Sequence, residues 1–354
     1  MSSGVSDPSA IEAGRAAVLD ELRTACRTIL VTHEHPDGDA LGSLIAMQHV
    51  LRAVGRDSLT FIAESDLPLP SEYRFLPLDG LVTAPPSDLD HRTIVFLDCG
   101  NIERNPGAER LRPAAGWGRI LNIDHHHDNT RFGSVNYVDP GASCTAEMVW
   151  ELAHALDVEL TLEIADALYV GLITDTGCFM YENTGPRAHQ MAAELIQVGI
   201  DVHAIYQRVY EDVPFGKLAL LARGLQNTER YDDGRLTASQ LSAEDFEAAG
   251  AEESYAEGVI DHLRAVRGTA MAALVRDRLA APGEPAEAGN GERLRKVSLR
   301  ASDMRVDVSA IARAEGGGGH RAAAGFNTSM PWDELIVFLR EQLAAQLASL
   351  PSGE

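Results

Sequence analysis

The chain is 354 residues long and 45% hydrophobic, and it carries 30 Lys and Arg against 53 Asp and Glu, a formal net charge of −23. That length allows two domains, each able to bury a core of its own. So acidic a surface repels long polyanions and excludes broad electrostatic binding to duplex DNA, and no apolar stretch approaches the roughly 20 residues of a membrane span. Cys26, Cys99, Cys144 and Cys178 show neither CxxC nor paired spacing, and no signal peptide opens the chain, so it reads as a soluble cytoplasmic protein.

Residues 8–26 place Ile11, Ala16, Val18, Leu19 and Leu22 at helical spacing. Short apolar runs then alternate with helical segments. Strands are expected at 28–32, 58–63, 93–98 and 119–124, with a helix at 40–54 after the first. Runs that are apolar throughout fit a parallel sheet covered on both faces. Helices follow at about 143–155, 161–173 and 187–198, and a short connecting helix at 201–208. Beyond Pro214 the pattern changes to a helix near 215–227, a strand pair around 228–240, and strands near 268–276 and 294–300. The stretch "AAPGEPAEAGNGE" (280–292) reads as an exposed hairpin loop. A last amphipathic helix, about 331–348, sets Leu335, Phe338, Leu339 and Leu343 on one side. The expected architecture is α/β: a parallel-sheet domain with helices on both faces (1–200), a linker helix (201–214), and a smaller α+β domain (215–354).

Three of the expected strands end alike. Strand 28–32 runs into His33, Asp37 and Asp39, strand 93–97 ends at Asp98, and strand 119–123 ends at Asp124-His125-His126. Ligands of open parallel sheets bind beyond the carboxyl ends of the strands, so these segments converge on one crevice. Asp175, after "YVGLIT", is a fourth candidate. Singly, each has an ordinary reading: Asp39 or Asp98 as a helix N-cap, the triple histidine as a solvated turn, Asp175 as a helix end. Together they crowd carboxylates that are costly to desolvate unless a cation offsets them. His33, His125, Asp37, Asp39, Asp98 and Asp175 form a mixed N/O set that suits Mn²⁺ or Mg²⁺ better than a tetrahedral Zn²⁺. The pattern points to a dinuclear metal centre.

These residues resemble the motifs of the DHH phosphoesterases. "HEHPDGDALGS", "FLDCGN", "NIDHHHDN" and "GLITDTGCF" are similar to its four motifs, and "GGGGHRAAAGF" (316–326) resembles the signature of the DHHA1 domain that follows them. The resemblance spans essentially the whole chain after residue 25, and its length and domain pair are similar to the oligoribonuclease and phosphoadenosine-phosphate phosphatase type. It implies a cytoplasmic enzyme that uses two Mn²⁺ on very short RNAs, 3′-phosphoadenosine 5′-phosphate (pAp) and related small nucleotides, with cyclic dinucleotides as further substrates. It implies that His33 and Asp37 hold one metal, that Asp39, His125 and Asp175 hold the other, and that Asp98 bridges both; two such cations can share a water, lower its pKa and aim it at phosphorus. Asp124 then orients an imidazole, while His126 contacts the scissile phosphate or helps protonate the leaving alkoxide. His127, one past the motif, is expected at the surface.

The run Gly316 to Gly319, followed by His320 and Arg321 and preceded by Arg300 in "SLRAS", reads as an anion cradle of backbone N–H groups and cationic side chains. The resemblance implies that Arg300, Gly318, Gly319, His320 and Arg321 grip the phosphate and terminal nucleotide. One departure is Cys178, where family members often have Arg. Three other readings compete. An inorganic pyrophosphatase shares the metal motifs but carries a basic Arg-Lys motif in place of Gly-Gly-Gly-His. A RecJ-type exonuclease needs an added OB fold for which no chain remains. A non-catalytic nucleotide-sensing module has no need of an intact ligand at every position. A homodimer is compatible with the sequence and not required by it.

Overall fold

The computed structural model describes residues 7–111, 119–256, 258–279 and 293–348, with the His320 side chain outside that description. The expected hairpin loop at 280–292 also lies outside the described residues. The chain divides into two compact units, Met1–Asp212 and Val213–Glu354. Each is built on its own six-stranded sheet.

In the first unit α1 (Pro8–Thr24) precedes β1 (Arg27–Val31), α2 (Gly38–Ala53), β2 (Asp57–Phe61), β3 (Leu81–Val82), β4 (Thr93–Leu97), β5 (Ile120–Asp124) and β6 (Val135–Val138). Then come α3 (Thr145–Ala155), α4 (Leu162–Asp175), α5 (Pro186–Val198) and α6 (Val202–Tyr206). All the strands are parallel, in the order β3-β2-β1-β4-β5-β6. The order reverses between β1 and β4, which is where a doubly wound sheet opens a crevice beyond its carboxyl ends. Successive strand residues face opposite cores. Leu30, Val95, Leu97, Leu121 and Ile123 pack with the apolar faces of α1 to α4, whereas Ile29, Val31, Ile94 and Phe96 pack on the other side with Phe61, Leu89 and Leu111. With both faces buried, every position of a strand can be apolar, which accounts for the unalternating runs.

Helices α2 and α4 cross closely through glycine. A Cβ on Gly42 would lie 3.0 Å from the nitrogen of Gly171, and a Cβ on Gly171 would lie 2.7 Å from Ala146 Cβ and 2.9 Å from Asp39 Oδ1. This contact brings the end of α4 beside the start of α2. The segment after α5 packs on this unit as well, with Ile205 and Val209 in its core.

The second unit contains α7 (Phe215–Gln226), β7 (Glu229–Tyr231), β8 (Leu236–Leu241), α8 (Ala243–Ala249), α9 (Val259–Arg264), β9 (Met271–Asp277), β10 (Arg295–Ala301), α10 (Val308–Ala314), β11 (Gly318–His320), β12 (Ala323–Thr328) and α11 (Trp332–Ala348). Its strand order is β11-β12-β10-β9-β8-β7. Only the β8–β9 pair is parallel. One core joins Val297, Leu299, Ala324 and Phe326 to α10 and α11, and another joins Ala272 and Leu274 to α7, α8 and α9.

The charge is unevenly divided. Residues 1–212 carry 14 of the 30 basic and 32 of the 53 acidic side chains. Among the described residues no helix is long and apolar enough to cross a membrane.

Candidate metal centre

Beyond Val31 the chain stays buried through Thr32 and His33 before it opens into the 34–37 turn. The Nδ1 of His33 lies 2.7 Å from the carbonyl oxygen of Glu34. Donation from Nδ1–H to that carbonyl fixes the tautomer and leaves Nε2 as the lone-pair nitrogen. That Nε2 is 3.6 Å from Asp98 Oδ2. Asp37 is the N-cap of α2, its Oδ1 accepting from the backbone of Asp39 and Ala40. The capping role considered for Asp39 or Asp98 therefore falls to Asp37, which stands exposed at the mouth.

Asp39 is 1% exposed. It meets the first turn of α3 head on: Thr145 N donates to Oδ2 at 2.7 Å and Ala146 N to Oδ1 at 2.9 Å, with Ser43 Oγ 3.3 Å from Oδ1. These are N–H groups that a helix leaves unpaired at its start, and they favour an anion. Asp98 follows β4 with φ +58°, a left-handed conformation that few non-glycine residues adopt, and it is 2% exposed. His125 Nε2 is 3.6 Å from Asp98 Oδ1, 3.6 Å from Asp175 Oδ2 and 4.0 Å from Asp39 Oδ2. Asp175 is the last residue of α4.

The donor atoms fall into three groups, each within 4.8 Å: His33, Asp37 and Asp98; Asp39, His125 and Asp175; and Asp98, His125 and His126. Asp98 belongs to two of them through different oxygens. Electrostatics explains what such a cluster needs. Burial, then Asp98, pushes the Asp39 carboxyl well above its ordinary range. Burial raises Asp175 to about 6 against the pull of His125. At Asp98 burial is outweighed by the neighbouring imidazoles of His33, His125 and His126, so its carboxyl is held low. His33 is pushed up, because Asp98 outweighs the burial that disfavours its cationic form. Carboxylates held against ionisation by burial and by one another are relieved by a divalent cation, and two imidazoles among oxygens give the donor set a hard cation accepts. The residues fit a metal.

His126 sits to one side, its Nδ1 2.7 Å from Oδ1 of the fully buried Asp124. Asn129 Nδ2 donates to the other oxygen of Asp124 and, at 2.8 Å, to Asn122 Oδ1. His127 is exposed, as expected.

Sequence reasoning assigned no role to three residues here. Thr145 Oγ1 donates to Asp98 Oδ1 at 3.0 Å. Asn183 Nδ2 lies 3.1 Å from Asp175 Oδ2 and 2.8 Å from the Ser143 carbonyl. Asn129 stood inside the quoted "NIDHHHDN" and was passed over. The available signal for Thr145 was its place just before an apolar helical run, where a hydroxyl residue commonly starts a helix.

In the second unit Arg300 is half-buried on β10, and its Nη1 donates to the Leu299 carbonyl at 3.1 Å. The glycine run, read from sequence as an anion cradle, is in part an edge strand: Gly318, Gly319 and His320 pair with Gly325, Ala324 and Ala323. Arg300 also aligns with Ala323, so Arg300 and His320 occupy one row of the sheet on either side of it. Gly319 has φ +136° and Gly318 leaves open space where a Cβ would stand. Arg321 is exposed and donates to the Met304 carbonyl at 2.9 Å.

Residues 27–172 match the DHH family, N-terminal domain. The bifunctional oligoribonuclease and PAP phosphatase NrnA of Thermus thermophilus is 33% identical over 320 residues, 89% of this chain and 89% of its own length. The protein of the same name from Bacillus subtilis is 25% identical over 316 residues, covering 86% of this chain and 90% of its own. An exopolyphosphatase-related protein from Bacteroides fragilis shares the fold, with a TM-score of 0.81 at 22% identity over 94% of this chain and 96% of that one.

Proposed function

Since the chain belongs to the DHH family, we propose that it is a metal-dependent phosphoesterase acting on very short oligoribonucleotides and on pAp, with cyclic dinucleotides as further candidates. The observation that carries this reading is the placement of Asp98, whose Oδ2 faces His33 and whose Oδ1 faces His125. A carboxylate so placed joins two ligand sets: His33 and Asp37 on one side, Asp39, His125 and Asp175 on the other. We assign these sets two Mn²⁺ per chain, with Mg²⁺ as the alternative. Bound there, the cations supply a water of lowered pKa and offset the charge of the phosphoryl oxygens.

The protein's own groups do the rest. Asp124 orients His126 through Nδ1, so Nε2 is presented to the leaving alkoxide as its proton donor. Thr145 and Asn183 hold Asp98 and Asp175 in position. In the second unit Arg300, Gly318, Gly319, His320 and Arg321 take the substrate's phosphate and terminal nucleotide by charge-assisted and backbone N–H contacts. The names of the Thermus and Bacillus relatives support the substrate class. All four cysteines are free, which suits a reducing cytoplasm.

The test is a Mn²⁺-dependent turnover panel of pAp, pApA, cyclic di-AMP, a five-residue RNA and pyrophosphate. Turnover of pAp and pApA that chelation abolishes is expected. Turnover of pyrophosphate alone would transfer the protein to the pyrophosphatase reading.

A further inference from the structure

The turn after Asp175 departs from ordinary backbone. Gly177, Cys178 and Phe179 have φ of +54°, +55° and +68°, three left-handed residues in succession, two of which carry side chains that disfavour this region. The surroundings hold the turn. Cys178 N donates to the Ile173 carbonyl at 2.7 Å, and Met180 N and Tyr181 N donate to the Thr176 carbonyl at 2.9 and 3.0 Å. Phe179 N donates to Oγ1 of the fully buried Thr176 at 3.2 Å. Asn183 ties the far end back to Asp175.

The turn sorts its side chains. Phe179 stacks on His189, with centroids 5.1 Å apart and planes at 21°. Met180 and Tyr181 are 82% and 58% exposed. Yet the Tyr181 ring is not loose: a Cβ built on Gly177 would stand 2.5 to 2.6 Å from its Cζ, Cε1 and Cε2. One face of the ring therefore lies against the glycine, while more than half of the residue's surface is open to solvent. Its support is two residues from Asp175.

We propose that Tyr181 is a stacking platform for a nucleobase of the substrate. A ring already pinned on one face loses little freedom when a base covers the other, and stacking accepts any base because every base has a π face. It also supplies affinity without charge, on a unit where acidic side chains outnumber basic ones by more than two to one. The proposal rests on the phosphoesterase reading above and adds to it a base contact on the metal-binding unit, separate from the phosphate contacts assigned to the second.

The test compares wild type, Tyr181→Phe and Tyr181→Ala with Mn²⁺ on pAp and on its base-free counterpart, ribose 3,5-bisphosphate. Tyr181→Ala should raise KM for pAp at least about fivefold, the lower end of what one lost stack costs, and change KM for the base-free compound less than twofold. Tyr181→Phe should match wild type on both. Equal KM changes on the two substrates, or a Phe variant as poor as Ala, would overturn the platform. If Tyr181→Ala does not fold, Tyr181→Leu retains bulk without a π face and answers the same comparison. A wild-type chain that hydrolyses neither bisphosphate refutes the phosphoesterase reading itself; hydrolysis of both with no effect at Tyr181 refutes the platform alone.

Discussion

Thr145 donates its hydroxyl to Oδ1 of Asp98 at 3.0 Å across 47 residues of sequence. The same residue gives its backbone N–H to Asp39 Oδ2 at 2.7 Å. One position at the head of α3 therefore orients a carboxylate of each proposed ligand set. Thr145→Val, which keeps the backbone donor and removes the hydroxyl, should weaken Mn²⁺ binding about 10- to 100-fold with a stability loss of about 1–2 kcal/mol. Thr145→Ser should restore the affinity. Calorimetric Mn²⁺ titration beside thermal melts measures both, and unchanged affinity in the valine variant would remove Thr145 from the metal centre.

Asp98→Ala should be the most damaging single ligand change, because it loosens both sets at once. A drop in kcat on the order of 10³ or more is expected, the equivalent of about 4 kcal/mol of lost preorganisation. Two metals per chain with normal turnover in this variant would contradict the bridge.

The pH dependence follows from Asp175, raised from 3.8 to about 6. A carboxyl whose folded-state pKa is raised favours the folded state at low pH and loses that contribution as pH climbs from about 4 to about 6, on the order of 2–3 kcal/mol. His33, also raised, acts in the same direction above its ordinary 6.5. The metal-free protein should therefore melt higher at pH 5 than at pH 7.5. Mn²⁺ should reverse this order, since it binds the deprotonated carboxylates and stabilises by mass action. Melting curves at the two pH values with and without Mn²⁺ are the check; a metal-free protein more stable at pH 7.5 would count against the raised carboxyls.

Arg300→Ala should raise KM for pAp and dinucleotides by removing a charge-assisted phosphate contact worth about 1.5–3 kcal/mol. Bis-p-nitrophenyl phosphate, which lacks the second phosphate and the nucleotide, should be much less affected. Equal slowing of both substrates would make Arg300 part of the sheet's structure alone.

The strand ends were legible because Ile29-Leu30-Val31 of β1, Ile94-Val95-Phe96-Leu97 of β4 and Ile120, Leu121 and Ile123 of β5 are followed within one or two residues by His or Asp, an abrupt change of chemistry. Other parts were not. β3 is only Leu81–Val82, shorter than any periodicity can register, and β6, "VNYV", is four residues long with only its last two buried, so no apolar run marks it. The glycines at 318 and 319 resembled a loop because glycine has weak strand propensity; pairing with β12 overrides that, and no local signal announces a partner that follows in sequence. Helices α8, α9 and α10 have six or seven residues each, too few for a 3.6-residue period to stand out. Asn183 was invisible for a different cause: it reaches Asp175 only because the strained turn between them folds back, and an isolated Asn carries no pattern.

The excess of acidic over basic side chains on residues 1–212, 32 against 14, would act as a length gauge on the proposed substrates. On the proposed function, a dinucleotide would bring its few phosphates to the metal centre and no further, whereas each added phosphate of a longer RNA would meet a unit that carries its own sign of charge. Such a toll is paid in solvent, where the Debye length falls from about 10 Å at 0.1 M salt to about 3 Å at 1 M. A chain-length limit written in charge stretches as salt is added, while one written in the shape of a closed wall stays where it is.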